Sequence, residues 1–228
     1  MNLYYAPKRD DLSIQFEDVM SPCHSGTPSW WRKLDFYRNK SKSVLDMWTK
    51  LSQEEKQEVE GFTTVRACPG FRELFKNSYL LKFPSDLLLE TTADGEFTWK
   101  TPGEEGLLRV YFHTPDQIGS QISDNYTIIK FILPFLIAGK GTKALFLDPI
   151  YYKDQPFKIS PGVMELKGNN IGMPFNVIVF FEKKDATYHF QKGEPICIVY
   201  FSDRVHAKES SKIRRYDKKK FFLDYEDV

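Results

Sequence analysis

The chain has 228 residues, with 32 Lys and Arg against 31 Asp and Glu, and a formal net charge of +1 at pH 7. A chain so close to neutrality has no overall field that would draw it onto nucleic acid or an anionic membrane, so we expect no general nucleic-acid binding and only local contacts. The aromatic content of 15%, with 19 Phe and 12 Tyr, favours strands, in which flat rings pack across neighbouring strands.

The cysteines and the apolar runs bear on the compartment. Cys23, Cys68 and Cys197 are an odd number without CxxC spacing, a pattern that indicates reduced thiols in the cytoplasm. The start of the chain has no apolar core of signal-peptide length. The longest apolar run, FILPFLIAG, contains Pro134 and is far shorter than the roughly 20 residues that span a bilayer. We therefore expect a cytoplasmic protein that does not contact membranes.

Residues 1–78 are predicted to form a strand, loops and short helices that pack on a sheet. The helix that begins near Pro69 places Phe71 and Phe75 on one face. Trp30 and Trp31 are adjacent, so they cannot both face one side of an element, and one is predicted to pack in the core while the other covers a neighbour. The alternative for this pair is a contact surface for a partner.

Residues 79–205 are predicted to form the β core. YLLKFPSDLLLETT and ADGEFTWKT read as strands joined at the hairpin turn Asp94-Gly95. GLLRVYFH follows, and a polar connection then leads to Ser123. NYTIIKFILPFLIAGKGTKALFLDPIYY reads as two buried strands joined by a turn at residues 139–141. FNVIVFF is apolar at successive positions, so both faces of that strand should be covered.

The resulting prediction is a mainly β fold, a sandwich or a closed barrel, with a few peripheral helices in the N-terminal third and at the C-terminus. The tail, residues 206–228, carries dense mixed charge and suits a peripheral helix or a partner-binding arm. The three segments are expected to form a single domain.

The motifs of metal and phosphate chemistry are missing from the sequence. The four histidines, His24, His113, His189 and His206, show no HxxxH, HxH or HxD spacing. AGKGTKA lacks the GxxxxGK[ST] spacing of a phosphate-binding loop. We predict no metal, no cofactor and no catalytic residue from these patterns.

Several charged residues are candidates for binding an anion. Gly139 and Gly141 would let the backbone approach a phosphate while Lys140 and Lys143 supply charge; the alternative is an ordinary β-turn with solvated lysines. Arg109 is flanked by apolar residues on a predicted strand, so it either needs a partner or points to solvent. In SPGVMELKGNN, Glu165 and Lys167 either face a bound nucleotide or lie on a solvated loop.

Residues 160–201, with PGVMELKG, FNVIVFF and FQKGEPICIVYF in that order, resemble the dUTPase and dCTP-deaminase barrel. The resemblance implies a β-barrel and a homotrimer, and it places Glu165 where that family keeps its water-activating Asp. Leu166 and Lys167 replace the Asp-Tyr pair that follows in the family, and no Gly-rich phosphate arm is present near the C-terminus. The resemblance therefore implies the barrel fold of that family and gives weaker support to its nucleotide hydrolysis.

A second resemblance covers more of the chain. Five segments carry it, in this order: PSWWRKL, RACPGFRELFKNSYLLKFPSDLLL, IIKFILPFLIAGKGTKALFLDPIYY, PGVMEL and FQKGEPICIVYF. They are similar to a family of uncharacterised proteins of large tailed phages, which share a Trp pair, a Cys-Pro-x-Phe segment and a late Lys-Gly-x-Pro turn. This resemblance implies a phage protein acting in the cytoplasm of an infected bacterium and implies no activity.

Three functions stay open from the sequence. The first is a non-catalytic β protein that binds a small anion, with a nucleotide as the leading candidate. It would act as a regulator or as a sponge for a host defence signal. Its pocket would combine Arg109, Lys140, Lys143, Glu165 and Lys167. The second is a structural or protein-interaction module of the particle or of host takeover, which would use the Trp pair and the tail. The third is a divergent nucleotide hydrolase that uses Glu165.

Overall fold

The computed structural model describes residues 2–7, 14–35, 50–52, 64–103, 107–118, 120–168, 171–210 and 214–215. The helices are α1 (Phe16–Val19), α2 (Ser29–Lys33), α3 (Pro69–Asn77), α4 (Pro115–Ile118) and α5 (Ser120–Ser123). The strands are β1 (Asn2–Pro7), β2 (Met20–Pro22), β3 (Ser78–Lys82), β4 (Leu87–Thr91), β5 (Phe97–Lys100), β6 (Arg109–Phe112), β7 (Tyr126–Ala138), β8 (Lys143–Leu147), β9 (Phe157–Ile159), β10 (Gly162–Glu165), β11 (Ile171–Glu182), β12 (Ala186–Phe190), β13 (Pro195–Phe201), β14 (His206–Glu209) and β15 (Arg214–Arg215).

Two long antiparallel strands, β7 and β11, form the centre of a seven-stranded sheet. Both are rich in β-branched and aromatic residues, which suit a pleated surface. β6 and β1 pair with the free edge of β7, and β9 and β15 pair with the free edge of β11. β14 completes the sheet beside β1, so strands from both ends of the chain lie in the same sheet as the central strands.

The remaining strands form two smaller sheets. The five-stranded sheet has the order β10-β8-β13-β3-β2, and the three-stranded sheet has the order β12-β4-β5. The predicted hairpin between β4 and β5 is confirmed: Gly95 has φ +88°, and the Thr92 N–H donates to the Glu96 carbonyl oxygen at 3.0 Å.

One hydrophobic core lies between the sheets. It contains buried side chains from all three, among them Val179 of β11, Val199 of β13 and Leu89 of β4. The fold is therefore mainly β and arranged like a sandwich, as the sequence predicts. Within the described ranges the strands form three open sheets, so the closed-barrel alternative does not describe them.

Two connections pass from one sheet to another, and the first of them differs from the sequence-based expectation. β7 and β8, predicted as neighbours joined by a turn, belong to the seven-stranded and the five-stranded sheet. β9 and β10 separate in the same way at residues 160–161, since β9 pairs with β11 and β10 pairs with β8. The Gly and Pro residues of these turns thus mark crossings between layers.

The helical predictions are confirmed only in part. α1, α2 and α3 lie in the N-terminal third as expected, whereas α4 and α5 occupy the segment predicted as a polar connection. The described part of the tail forms β14 and β15 instead of a C-terminal helix, and residues 216–228 lie outside the described ranges. Among the described residues, no helix has the length and apolar content needed to cross a membrane.

Candidate ligand-binding face of the seven-stranded sheet

The two faces of the seven-stranded sheet differ in burial. Val177, Val179 and Phe181 of β11 point into the core and are at most 1% exposed. Ile178 and Phe180 point the other way and are half-buried, because successive side chains alternate across a strand. We call this second side the outer face. The prediction that both faces of β11 are covered is therefore confirmed for the core side, and the outer face is partly open.

The strand register fixes which side chains meet on the outer face. Phe180 lies opposite Lys158 of β9 and opposite Ile128 of β7. One step further, Ile178 lies opposite Lys130, which in turn lies opposite Tyr111 of β6. Side chains directly opposite each other share a face, so these residues form adjacent rows across four strands.

A cleft of about 380 Å³ opens at one end of the outer face. The connection between β8 and β9 forms one wall, and the sheet forms the other. The lining residues include Tyr126, Phe180, Lys158, Lys184, Asp148, Asp154, Gln155 and Glu182. Aromatic rings and a few convergent polar groups in a concave site are the ordinary make-up of a small-molecule pocket.

Two rings and an ammonium group define the sheet wall of this cleft. The Tyr126 and Phe180 ring centroids are 5.9 Å apart, with planes tilted by 45°. The Nζ of Lys158 lies 5.9 Å from the centroid of the Tyr126 ring, a cation–π distance. Among the described residues Lys158 forms no ion pair, so its charge is available to a ligand.

The opposite wall supplies hydrogen-bond acceptors. Asp148 Oδ1 accepts from the backbone N–H of Ile159 at 2.7 Å, which ties this wall to β9. Gln155 Nε2–H donates to the Pro195 carbonyl oxygen at 2.5 Å, and a carbonyl can only accept, so Gln155 Oε1 is fixed as an acceptor. That Oε1 is buried and receives no hydrogen bond within the described part of the chain.

Glu182 and Lys184 lie together at the rim of the cleft. Their Oε2 and Nζ atoms are 3.6 Å apart, and both side chains are more than half exposed. A solvated pair of this kind contributes little to stability, so it can exchange partners when a ligand arrives.

The four predicted ligand residues Lys140, Lys143, Glu165 and Lys167 come together in the structure, at a different place from the cleft. Glu165 lies opposite Lys143 in the pairing of β10 with β8, and its Oε2 is 3.7 Å from Lys167 Nζ. The Leu166 N–H donates to the Thr142 carbonyl at 2.9 Å, which joins the two segments. We call this group the lysine turn; it is an exposed surface.

Arg109 does not join the lysine turn. It lies opposite Ile132 of β7, six residues from Ala138, and therefore about 20 Å along the strand from the start of the turn. Its side chain is exposed on the outer face, because the neighbouring Val110 faces the core. The five predicted residues thus belong to two separate surfaces.

The Trp pair divides as the alternation of neighbours predicts. Trp31 is 8% exposed and packs in a second hydrophobic cluster against Phe75, at a centroid distance of 4.9 Å. Trp30 is 41% exposed, and its Nε1–H donates to the Tyr151 carbonyl oxygen at 2.9 Å. Only Trp30 of the two is exposed enough to meet a partner.

A second cleft, of about 410 Å³, lies beside this cluster. Its lining combines Trp31 and Phe75 with the charged or polar residues His24, Arg72, Glu73 and Lys76. Asn77 and Lys76 both contact the Glu73 carboxylate, at 2.6 and 3.7 Å, so that carboxylate is already engaged. Within the described ranges no group of three His, Cys, Asp or Glu side chains is arranged to hold a metal ion.

Comparisons of this chain with protein-family models, with curated proteins and with solved structures find no match.

Sequence reasoning missed the cleft residues for a definable reason. Lys158, Asp148 and Lys184 belong to three segments that meet only through the pairing of β9 with β11. The one local signal is the lysine in the short alternating run FKI, which presents one polar side chain between two buried ones.

Proposed function

We propose that this protein is a non-catalytic nucleotide-binding protein and that the cleft on the outer face is its binding site. The observation that carries the proposal is the arrangement of Tyr126, Phe180 and Lys158 on one wall. Aromatic side chains stack on nucleobases, and this contact contributes roughly 1–3 kcal/mol per base. The Lys158 ammonium next to the rings supplies the charge for a phosphate.

The acceptors of the other wall suggest which bases fit. Carboxylate oxygens such as those of the exposed Asp154 accept hydrogen bonds from exocyclic amino groups, as in the pairing of acidic side chains with cytosine N4. Uracil presents a carbonyl oxygen at the same position and would face these acceptors without a donor. A cytosine nucleotide is thus expected to bind more tightly than a uracil nucleotide.

The sign of the charges sets the orientation of the ligand. Asp148, Asp154 and Glu182 repel phosphates, so the base enters the end of the cleft that carries carboxylates. The phosphate then lies on the Lys158 side. A monophosphate suits this arrangement better than a triphosphate, whose additional charge would meet the acidic wall.

Isothermal titration with cytidine, CMP and UMP tests the proposal. Phe180→Leu keeps an apolar side chain but removes the ring, and it is expected to weaken CMP binding at least fivefold; Trp99→Ala, an exposed aromatic on β5, serves as the control. Lys158→Gln should weaken CMP and leave cytidine unchanged, whereas Lys76→Gln on α3 should change neither. Absence of CMP binding to the unaltered protein rejects the proposal.

The phage resemblance suggests the setting for such a binder: a regulator or a sponge for a nucleotide defence signal in an infected bacterium. The dUTPase resemblance adds a homotrimer to the proposal. Mass spectrometry of small molecules that copurify with the protein from infected cells would identify the natural ligand.

A second candidate function is a protein-interaction module, favoured by the exposure of Trp30. Large aromatic side chains at the surface are common anchors of protein interfaces. A specific partner that no longer binds the Trp30→Ala variant, together with no response to any nucleotide, would favour this function over the first.

A further inference from the structure

The outer face carries a line of cations that continues from the cleft across the sheet. Lys158 lies on β9, Lys130 on β7 and Arg109 on β6. The register places Lys130 two strands and two residues from Lys158, which corresponds to about 12 Å, and Arg109 one strand and two residues further, about 8 Å. We call these three residues the basic diagonal.

Apolar and aromatic side chains lie between these cations. Lys130 Nζ is 5.9 Å from the centroid of the Tyr111 ring, which repeats the contact of Lys158 with Tyr126. Tyr111 is 45% exposed, so its ring can be reached from solvent. The other outer-face positions that the register places between Lys158 and Arg109 are Phe180, Ile128, Ile178, Ile132 and Asn176.

The charges of this surface have one sign. None of these intervening positions is a carboxylate, while the acidic side chains of the cleft lie around Lys158, at one end of the diagonal. The net charge of the chain is only +1, so this local separation gives the outer face a field that the whole protein lacks. Ile128 is 1% exposed, so this face is only partly open, and its accessible cations and rings suit a chain of phosphates and unpaired bases.

We propose that the outer face binds single-stranded nucleic acid, with one base in the cleft and the following phosphates on Lys130 and Arg109. The inference rests on the proposed nucleotide site and extends it from a mononucleotide to an oligonucleotide. The diagonal, about 20 Å long, accommodates roughly 4 nucleotides, the lower end of the range bound by single-strand-binding domains. Duplex DNA fits poorly, because its bases are already stacked on one another.

The test is fluorescence anisotropy with labelled oligo(dC) of two, four, six and eight nucleotides. Affinity should rise up to about four nucleotides and then level off. Each phosphate that a cation neutralises contributes about 0.7 to the slope of log affinity against log salt, so Arg109→Gln with Lys130→Gln should reduce the slope by about 1.4. The double variant should bind the tetranucleotide at least tenfold more weakly and bind CMP unchanged.

Three outcomes overturn the inference: oligonucleotides that bind no more tightly than CMP, a salt slope that the double variant does not alter, or equal affinity for the duplex. CMP binding is measured in the same series, so the mononucleotide site can stand when the oligonucleotide site fails. If the tetranucleotide binds and CMP does not, the cleft is rejected as a mononucleotide site. The basic diagonal is then retained as a site for oligonucleotides. Lys76→Gln is the charge-matched control, and urea unfolding of each variant verifies that the fold is retained.

Discussion

Trp30 and Trp31, neighbours in α2, have ring centroids 5.8 Å apart and ring planes at 83°, with one ring at the surface and the other inside a hydrophobic cluster. A single helical turn cannot point adjacent side chains in one direction, so the pair anchors α2 through one residue only. Trp31 stacks on Phe71 and packs on Phe75 of α3, which joins the two helices.

Trp31→Ala is expected to destabilise the protein by about 3–5 kcal/mol, because it leaves a large cavity between α2 and α3. Trp30→Ala should cost about 1 kcal/mol, chiefly because the hydrogen bond to Tyr151 can no longer form. Urea unfolding followed by circular dichroism measures both values. Equal destabilisation by the two substitutions would contradict the assignment of Trp31 as the buried member.

The predictions that succeeded from the sequence rest on local patterns. The division of the Trp pair, the hairpin at Gly95 and the mainly β fold each follow from residues close together in the chain. The order of strands in the sheets was not predictable in this way, because β7 and β8 are adjacent in sequence and lie in different sheets. Turn residues mark where a strand ends and do not specify which sheet follows.

The same limit explains the candidate site. Lys140 and Lys143 are close in the chain, and their turn contacts the Glu165 segment, while Arg109 of the same predicted pocket lies on another surface. The cleft depends on the pairing of β9 with β11 and of β11 with β7, contacts between residues far apart in sequence. The surface to which Arg109 belongs can be assigned only when the pairing of β6 with β7 is known.

The three thiols should differ sharply in reactivity. Burial raises the pKa of Cys23 to about 11 and holds the pKa of Cys197 well above its ordinary value, while Cys68 is exposed. Because the thiolate is the reactive form, we expect one rapidly modified thiol per native chain at pH 8 and three in urea. Cys68→Ser should abolish the rapid phase. Two rapidly modified thiols in the native protein would show that the hydrophobic cluster that contains Cys23 and Trp31 opens readily.

His113 is expected to make the fold less stable in mild acid. Burial lowers its pKa from the ordinary 6.5, and the nearby Lys130 charge acts in the same direction against a hydrogen bond with Gln117. Its Nε2 is buried without a partner among the described residues, so a proton there gains no acceptor. The stability that the neutral His113 ring contributes to the fold is thus fully present above pH 6.5. It is lost as the pH falls through the lowered pKa.

The measurement is the free energy of unfolding in urea between pH 7.5 and 5. His113→Gln should flatten the fall in stability relative to the unaltered protein, while His189→Gln, an exposed histidine on β12, should follow the original profile. Identical profiles for all three proteins would exclude a titrating role for His113.

Glu165→Gln separates a binding protein from a divergent hydrolase. The carboxylate lies 3.7 Å from Lys167 Nζ, and Glu165 lies directly opposite Lys143 of β8, so two cationic residues are close to it. The next residue, Leu166, is 1% exposed and packs in the core. A surface pair of this kind contributes about 0–1 kcal/mol, so the variant should retain its stability.

We expect Glu165→Gln to bind CMP as the unaltered protein does, because the lysine turn lies apart from the cleft. We also expect phosphate release from dUTP or dCTP with Mg²⁺ to equal that of a protein-free blank for both proteins. Turnover by the unaltered protein that disappears in a folded Glu165→Gln variant would reverse this interpretation. The carboxylate would then act on a substrate held by Lys140 and Lys143, and the lysine turn, rather than the outer face, would be the functional centre.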